Sequence, residues 1–293
     1  MSDEPLRLVF GTAPSLAADD VTGLLLDQFY DAGGRAIDLA NVYGDGTSER
    51  SVGAWLRARR RREDVVLYVK GCHPPYCDPA LVPNEVETAL TNLGTDRLDV
   101  FLLHRDDDAI PIHAWADALM AELRRGTVGQ VGVSNWTMER FVALKEHLEA
   151  LGEDRLSAFS NHFSLAQMGE PQWPGSLAMD GDTARNLASS GLTVLAWASL
   201  ASGYLTDLDI SDPAVLRSWG TDENQRRRAR ARELAELLGT TTATIAVAYV
   251  LAHNGIRPVI GTRSSAHLAE ALAAETIDVS PEQVARLEGA STT

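Results

Sequence analysis

A chain of 293 residues, 45% of them hydrophobic, is long enough to build one large α/β domain around its own core. Its net charge of −15 excludes nucleic acid and an anionic membrane surface as partners. No apolar run reaches the roughly 20 residues that span a bilayer, and the opening MSDEPLRLVF has neither the basic nor the apolar region of a secretory signal, so a cytoplasmic setting is expected.

In chain order, residues 6–11 read as a first strand, followed by a helix over 17–32 that carries Leu24, Leu25 and Phe29 on one side and stops at Gly33. A strand at 35–40 leads to a helix at 48–60 with Val52, Trp55 and Leu56. A third strand at 65–70 leads to a helix at 83–93 that stops at Gly94. The fourth strand, 98–104, precedes a helix at 112–125, and the fifth, 129–134, a helix at 137–151. A sixth strand at 158–163 opens a long segment, 166–181, rich in Pro, Gly and Trp, before a helix at 182–190. The seventh strand, 193–198, opens a second long segment, 206–224, then a helix at 225–238. The eighth strand is 257–261.

The runs VVLYVKG, LDVFLLH and TVLAWAS are continuously apolar rather than alternating, as parallel strands buried on both faces require. Strand and helix in repeated alternation imply a barrel or a doubly wound sheet. The doubly wound sheet needs G-x-G-x-x-G after its first strand, where this chain reads GTAPSLAADD; GTVGQVG near Gly126 has the wrong spacing and enters a strand. The expected fold is therefore a (β/α)₈ TIM barrel, one domain spanning residues 1–293. The two long segments follow late strands and belong on the catalytic face of such a barrel.

Cys72 and Cys77 flank His73 in GCHPPYCDPA. Zinc would need a fourth ligand and no second cluster exists, so they read as two free thiols and no metal is expected. The basic run 57–62 closes a helix, where it complements the helix dipole. Of 26 basic residues, all but Lys70 and Lys145 are arginine, which draws attention to each lysine, because an ammonium has a tunable pKa.

Polar residues stand at the strand ends where barrels place their chemistry. Asp38 closes the second strand in RAIDLANVYG, with Tyr43 in the loop behind it. Lys70 ends the third strand and His104 the fourth. Singly, a strand-end Asp or His is an ordinary structural residue. Together they form a device: a Lys70 cation lowers the phenol pKa of Tyr43, Asp38 pairs with Lys70, and His104 orients a carbonyl.

This set resembles the catalytic tetrad of the aldo-keto reductase superfamily, in the motifs DLANVYG, YVKG and LLHRD, and the resemblance covers nearly the whole chain. It implies an NADP(H)-dependent oxidoreductase that reduces an aldehyde, ketone or sugar carbonyl, with Tyr43 as general acid. Relatives that reduce carbon–carbon double bonds carry Glu where His104 stands. The resemblance assigns the nicotinamide carboxamide to Ser134 and Asn135 of GVSNWT. It assigns ring stacking to Trp197, where the family has Tyr, and the pyrophosphate to Ala198, Leu200 and Gly203. In GTRSSAHLAEAL, which begins at Gly261, Arg263 and Ser264 sit where the family grips a 2′-phosphate, and Glu270 where it contacts adenine. There are departures: Ser160 stands for a family Gln, and His267 and Ala271 for an Arg and an Asn. The chain stops at Thr293, without the long tail that caps the pocket in many relatives. Trp136, Trp173 and Tyr204 are expected to line the substrate site, and Trp219 to pack.

Two other readings compete. One is a non-catalytic NADP(H)-binding sensor or regulatory subunit on the same fold. The other is a metal-dependent barrel enzyme using Asp106, Asp107 and Asp108 beside His104, against which those aspartates read as a solvated loop.

Overall fold

The computed structural model describes residues 5–13 and 20–290. The opening residues of the helix expected at 17–32, the first four residues and Thr293 lie outside these. Eight parallel strands follow one another in chain order around a closed barrel. By backbone proximity the chain forms two compact units: Val9–Ser160 with Gly261–Arg263, and Met1–Leu8, Asn161–Ile260 and Ser264–Thr293.

The first unit holds β1 (Val9–Gly11), α1 (Asp20–Asp31), β2 (Ala36–Ala40), α2 (Thr47–Arg59), β3 (Val66–Gly71), α3 (Val82–Leu93), β4 (Leu98–Leu103), α4 (Ile112–Arg125), β5 (Val128–Ser134), α5 (Met138–Ala150) and β6 (Leu156–Ser160). Each strand pairs in parallel with the next. Leu39, Val69, Phe101, Leu103, Val133 and Phe159 are buried on one face and Tyr68, Val100, Leu102 and Ala158 on the other, so the strands are covered on both faces. Helix ends follow local chemistry. Gly94 and Gly126 close α3 and α4 in the left-handed conformation, and the Thr137 hydroxyl caps α5.

The register places the polar strand ends on a staircase. Asp38 pairs with Tyr68, and Lys70 lies two residues further along β3, on the same face. Lys70 pairs with Leu102, and His104 lies two residues beyond that. Leu102 pairs with Gly132, and Ser134 lies two beyond. Side chains of period two on adjacent strands thus climb one face together.

The second unit holds α6 (Gly181–Ser189), β7 (Thr193–Ala196), α7 (Pro213–Trp219), α8 (Asp222–Leu238), α9 (Thr242–Leu251), β8 (Ile256–Ile260), α10 (Ser265–Ala273) and α11 (Pro281–Glu288). β7 and β8 pair in parallel. One expectation needs correction here, and one helix, α9, was not foreseen. The segment 206–224 is not a plain loop: Asp212 caps α7, Pro213 opens it, and α8 begins at Asp222, not Gln225. In α9 all ten residues are buried, so its apolar character runs round the whole helix and leaves no stripe to read. Among the described residues no single helix is long and apolar enough to cross a membrane.

Candidate active site

Lys70 and Asp38 form a buried ion pair, the ammonium donating to both carboxylate oxygens at 2.6 and 2.7 Å. Their side chains are 2% and 3% exposed, so water does not screen the pair. Burial, the largest influence, opposes the Lys70 charge, but Asp38 and Tyr43 together outweigh it and hold the lysine pKa above its ordinary value.

The loop after β2 brings Tyr43 to this pair. It is a tight coil of backbone bonds: Tyr43 N–H to Ala40 O (3.0 Å), Gly46 N–H to Asn41 O (2.7 Å) and Ser48 N–H to Tyr43 O (3.3 Å). The Ser48 hydroxyl donates to the Thr12 hydroxyl, which donates to Asp38 O at 2.8 Å, tying the start of α2 to β2. Lys70 Nζ lies 5.3 Å from the Tyr43 ring centroid, and the His104 ring meets Tyr43 edge-on at 5.8 Å. Asp38, Tyr43, Lys70 and His104 therefore converge.

One electrostatic expectation is corrected. Desolvation raises the Tyr43 pKa above its ordinary value, and the Lys70 cation offsets only part of that rise. Tyr43 is a neutral, protonated phenol at neutral pH, the state of a proton donor. His104 is held well below the usual histidine range by burial, then by Lys70, Arg105 and His73, so it is neutral, with Nδ1 buried and unpartnered.

Two residues that the sequence reading did not assign to the catalytic set belong to this cluster. His73 packs edge-on to His104 at 4.9 Å between centroids. Arg105, directly after His104 and 7% exposed, donates through Nη1 to His104 O at 3.0 Å. Lys70 was singled out as a cation ending an apolar strand, and the same argument extended one residue past His104 finds Arg105.

Of the carboxamide candidates, Ser134, Asn135 and Ser160 are all buried. Asn135 adopts φ 57°, a left-handed conformation uncommon for a non-glycine residue, and its side chain donates to Ser134 Oγ (3.0 Å) and His104 O (3.3 Å). Ser160 Oγ is buried with no hydrogen-bond partner. At Gly261 an added Cβ would meet Ala13 O at 2.5 Å, so only glycine fits. Arg263 is exposed. It enters no ion pair among the described residues.

In the second unit, Trp197 directly follows β7 and is itself followed by a run of left-handed backbone at Ala198, Ala201 and Ser202 (φ 52°, 49°, 54°), with Gly203 at 90°. Leu200 precedes Ala201 and is partly exposed. Backbone strain of this kind concentrates at binding sites. The Trp197 ring lies 6.1 Å from Trp173, which is 49% exposed, and 5.1 Å from His162. Burial pushes His162 down to about 4. Ser264 caps α10 by accepting from the His267 N–H, and Glu270 lies one and a half turns on, partly exposed.

Trp136 and Tyr204 do not fit as substrate walls. Trp136 has no accessible surface and packs edge-on against Trp115 at 6.2 Å. Tyr204 is 3% exposed beneath Arg228. Trp219 is also fully buried, against His162 at 4.5 Å. Asp106 is committed to Arg140 in a two-pronged ion pair at 2.8 Å. Among the described residues no group of three or more His, Cys, Asp or Glu side chains is placed to hold a metal ion. Cys72 and Cys77 are free thiols.

The family model described as "Aldo/keto reductase family" matches residues 7–292. The chain is 27% identical to a norsolorinic acid reductase of Aspergillus flavus, over 91% of this chain and 70% of the relative. It is 26% identical to an aryl-alcohol dehydrogenase [NADP(+)] of Phanerodontia chrysosporium, over 89% of this chain and 73% of that one. Its fold superimposes on an aldo-keto reductase from Klebsiella pneumoniae solved in complex with NADPH, with a TM-score of 0.76 and 24% identity, covering 99% of this chain and 93% of that one.

Proposed function

Because the chain belongs to the aldo/keto reductase family, a family of oxidoreductases, we propose that it uses NADP(H) to reduce an aldehyde, ketone or sugar carbonyl, with Tyr43 as the general acid. The observation that carries this reading is the buried Asp38–Lys70 ion pair beside a protonated Tyr43 and a neutral His104. A protein that merely binds a dinucleotide gains nothing from so costly an arrangement.

The residues present suit a nicotinamide dinucleotide. Ser160 Oγ is an uncommitted buried hydroxyl next to Ser134 and Asn135, suited to a carboxamide. Gly261 and the free Arg263 precede the N-terminus of α10, where backbone N–H groups and the helix dipole favour a phosphate. Trp197, Ala198, Leu200, Gly203, Ser264, His267 and Glu270 are assigned to the same cofactor by the family pattern. When bound, the nicotinamide supplies a hydride to the carbonyl carbon. Tyr43 gives its proton to the carbonyl oxygen, so the product is the alcohol. The phenolate left behind faces the Lys70 cation, which stabilises it until solvent returns the proton. Asp38 keeps Lys70 charged and in place. His104, neutral, steers the carbonyl oxygen by hydrogen bonding. A cytosolic setting belongs to this reading, since a reducing compartment keeps Cys72 and Cys77 as thiols.

The test is Tyr43→Phe, assayed by NADPH absorbance against a panel of aldehydes, ketones and keto-sugars. Turnover should fall by at least about 10²–10⁴-fold, while NADPH binding, read by fluorescence, persists. A variant with near-native turnover would take Tyr43 out of the mechanism.

A further inference from the structure

Arg105 is a buried cation without a counter-ion. Its side chain is 7% exposed, and among the described residues it enters no ion pair. Of the five N–H donors of a guanidinium, Nη1 is bonded to a neutral carbonyl, and Nε is buried with no hydrogen-bond partner among the described residues. Of the carboxylates near it in the chain or the cluster, Asp106 is committed to Arg140 and Asp38 to Lys70, while Asp107 and Asp108 are exposed and form no ion pair with Arg105. Tyr43, His73, His104 and Cys77 surround it, none of them an anion at neutral pH. The cluster therefore carries one positive charge more than it neutralises.

A charged donor left unpaired in a desolvated site is among the costlier features a fold can hold. Support of the His104 carbonyl does not account for it, because the Asn135 amide already donates to that oxygen, and a neutral side chain would serve as well. Lowering of the Arg105 pKa by burial reflects the same unfavourable placement. The missing partner has to be an anion brought from outside, and it has to sit close to the reacting groups.

We propose that Arg105 is a specificity-determining residue that binds a carboxylate carried by the carbonyl substrate, so that the preferred substrates are oxo acids or aldehyde acids rather than neutral carbonyl compounds. This deepens the carbonyl-reductase reading and rests on it. A guanidinium presents paired donors whose geometry matches a carboxylate, and in a desolvated site such a charge-assisted contact is worth about 10–100-fold in affinity. It also orients the substrate: with its carboxylate on Arg105, the carbonyl is delivered to the neighbouring His104 and Tyr43.

The test uses the three formylbenzoates, each against its methyl ester, which keeps the ring and aldehyde and removes the charge. Binding is measured by calorimetry in the presence of NADP⁺, where the aldehyde cannot be reduced, and turnover separately with NADPH. For at least one isomer the native protein should bind the acid at least about 10-fold more tightly than the ester. Arg105→Gln, which keeps a donor for His104 O but not the charge, should bring that ratio to about one, and Arg105→Lys should restore part of it. A native ratio near one for all three isomers, read without any variant, overturns the inference. So does a ratio that survives Arg105→Gln in a protein with native circular dichroism. Failure to turn over any acid or ester would sink the carbonyl-reductase reading instead, and the binding ratio would still judge Arg105.

Discussion

Asp38→Asn removes one charge from a pair whose members are almost wholly out of water, and its effect follows from what is stranded. The substituted amide keeps the shape of the carboxylate but leaves the Lys70 ammonium facing a neutral group inside the barrel. Removing one partner of a buried pair costs about 3–5 kcal/mol. At about 2.1 cal/mol/K of unfolding entropy per residue, a chain of 293 residues then loses about 5–8 °C in Tm. The pH dependence carries the sharper signature. In the native protein the folded pKa of Lys70 lies above its unfolded value, so the lysine's contribution is complete at neutral pH and is lost only as pH rises through that folded value. In the variant the Asp38 charge no longer opposes burial, the largest influence on Lys70, and only Tyr43 remains against it; the folded pKa drops below the unfolded value of about 10.4, and stability should rise with pH across the neutral-to-alkaline window. Guanidinium denaturation at pH 7 and pH 9 reads both effects. Asp38→Asn with Lys70→Met should recover part of the loss, since the stranded charge is gone. A single variant within about 1 kcal/mol of the native protein, or one whose stability does not climb with pH, would refute the argument.

Glu49, buried in α2, is lifted by burial to about 7, while one of its oxygens accepts from Asn92 at 2.7 Å. A carboxyl with a raised folded pKa costs stability as pH rises from about 4.5 to 7, so Glu49→Gln should flatten that decline and add about 3 kcal/mol at pH 8; denaturation curves at pH 5 and 8 check it. Arg263→Ala should erode a preference for NADPH over NADH by about 1.5–3 kcal/mol, with equal affinities in the parent protein counting against the phosphate assignment. Trp173→Ala should raise KM for the best substrate with little effect on NADPH affinity, because the exposed indole beside Trp197 offers uniform binding rather than chemistry; an unchanged KM would take Trp173 out of the substrate site.

Continuous apolar runs made β3, β4 and β7 legible, because burial on both faces is itself a composition. The helix Ile112–Arg125 was legible to the residue, since Pro111 and Gly126 punctuate it. α9 was not, because burial on every side erases the period that betrays a helix. α7 hid inside a segment whose Pro and Asp read as loop until its cap was seen. The strand-end polar set was readable from its position at the ends of apolar runs, and the register adds that two-residue steps across adjacent strands keep it on one face. What parity cannot give is the direction of a side chain past the strand end. Trp136 and Trp173 look alike as aromatics near late or middle strand ends, yet one is sealed and the other exposed. Nor does sequence spacing weigh desolvation against a neighbouring charge, and at Tyr43 that balance reversed the expected pKa direction.

The His104 carbonyl oxygen accepts from Arg105 on one side and Asn135 on the other. A main-chain atom cannot be mutated away, and here its two donors come from separate strand ends, so either one can change while the oxygen stays bonded. The peptide that carries the histidine is thus buffered against drift at both positions. A substitution at Arg105 therefore leaves the His104 carbonyl bonded to Asn135, so the proposed carboxylate contact can be removed without releasing the histidine's peptide.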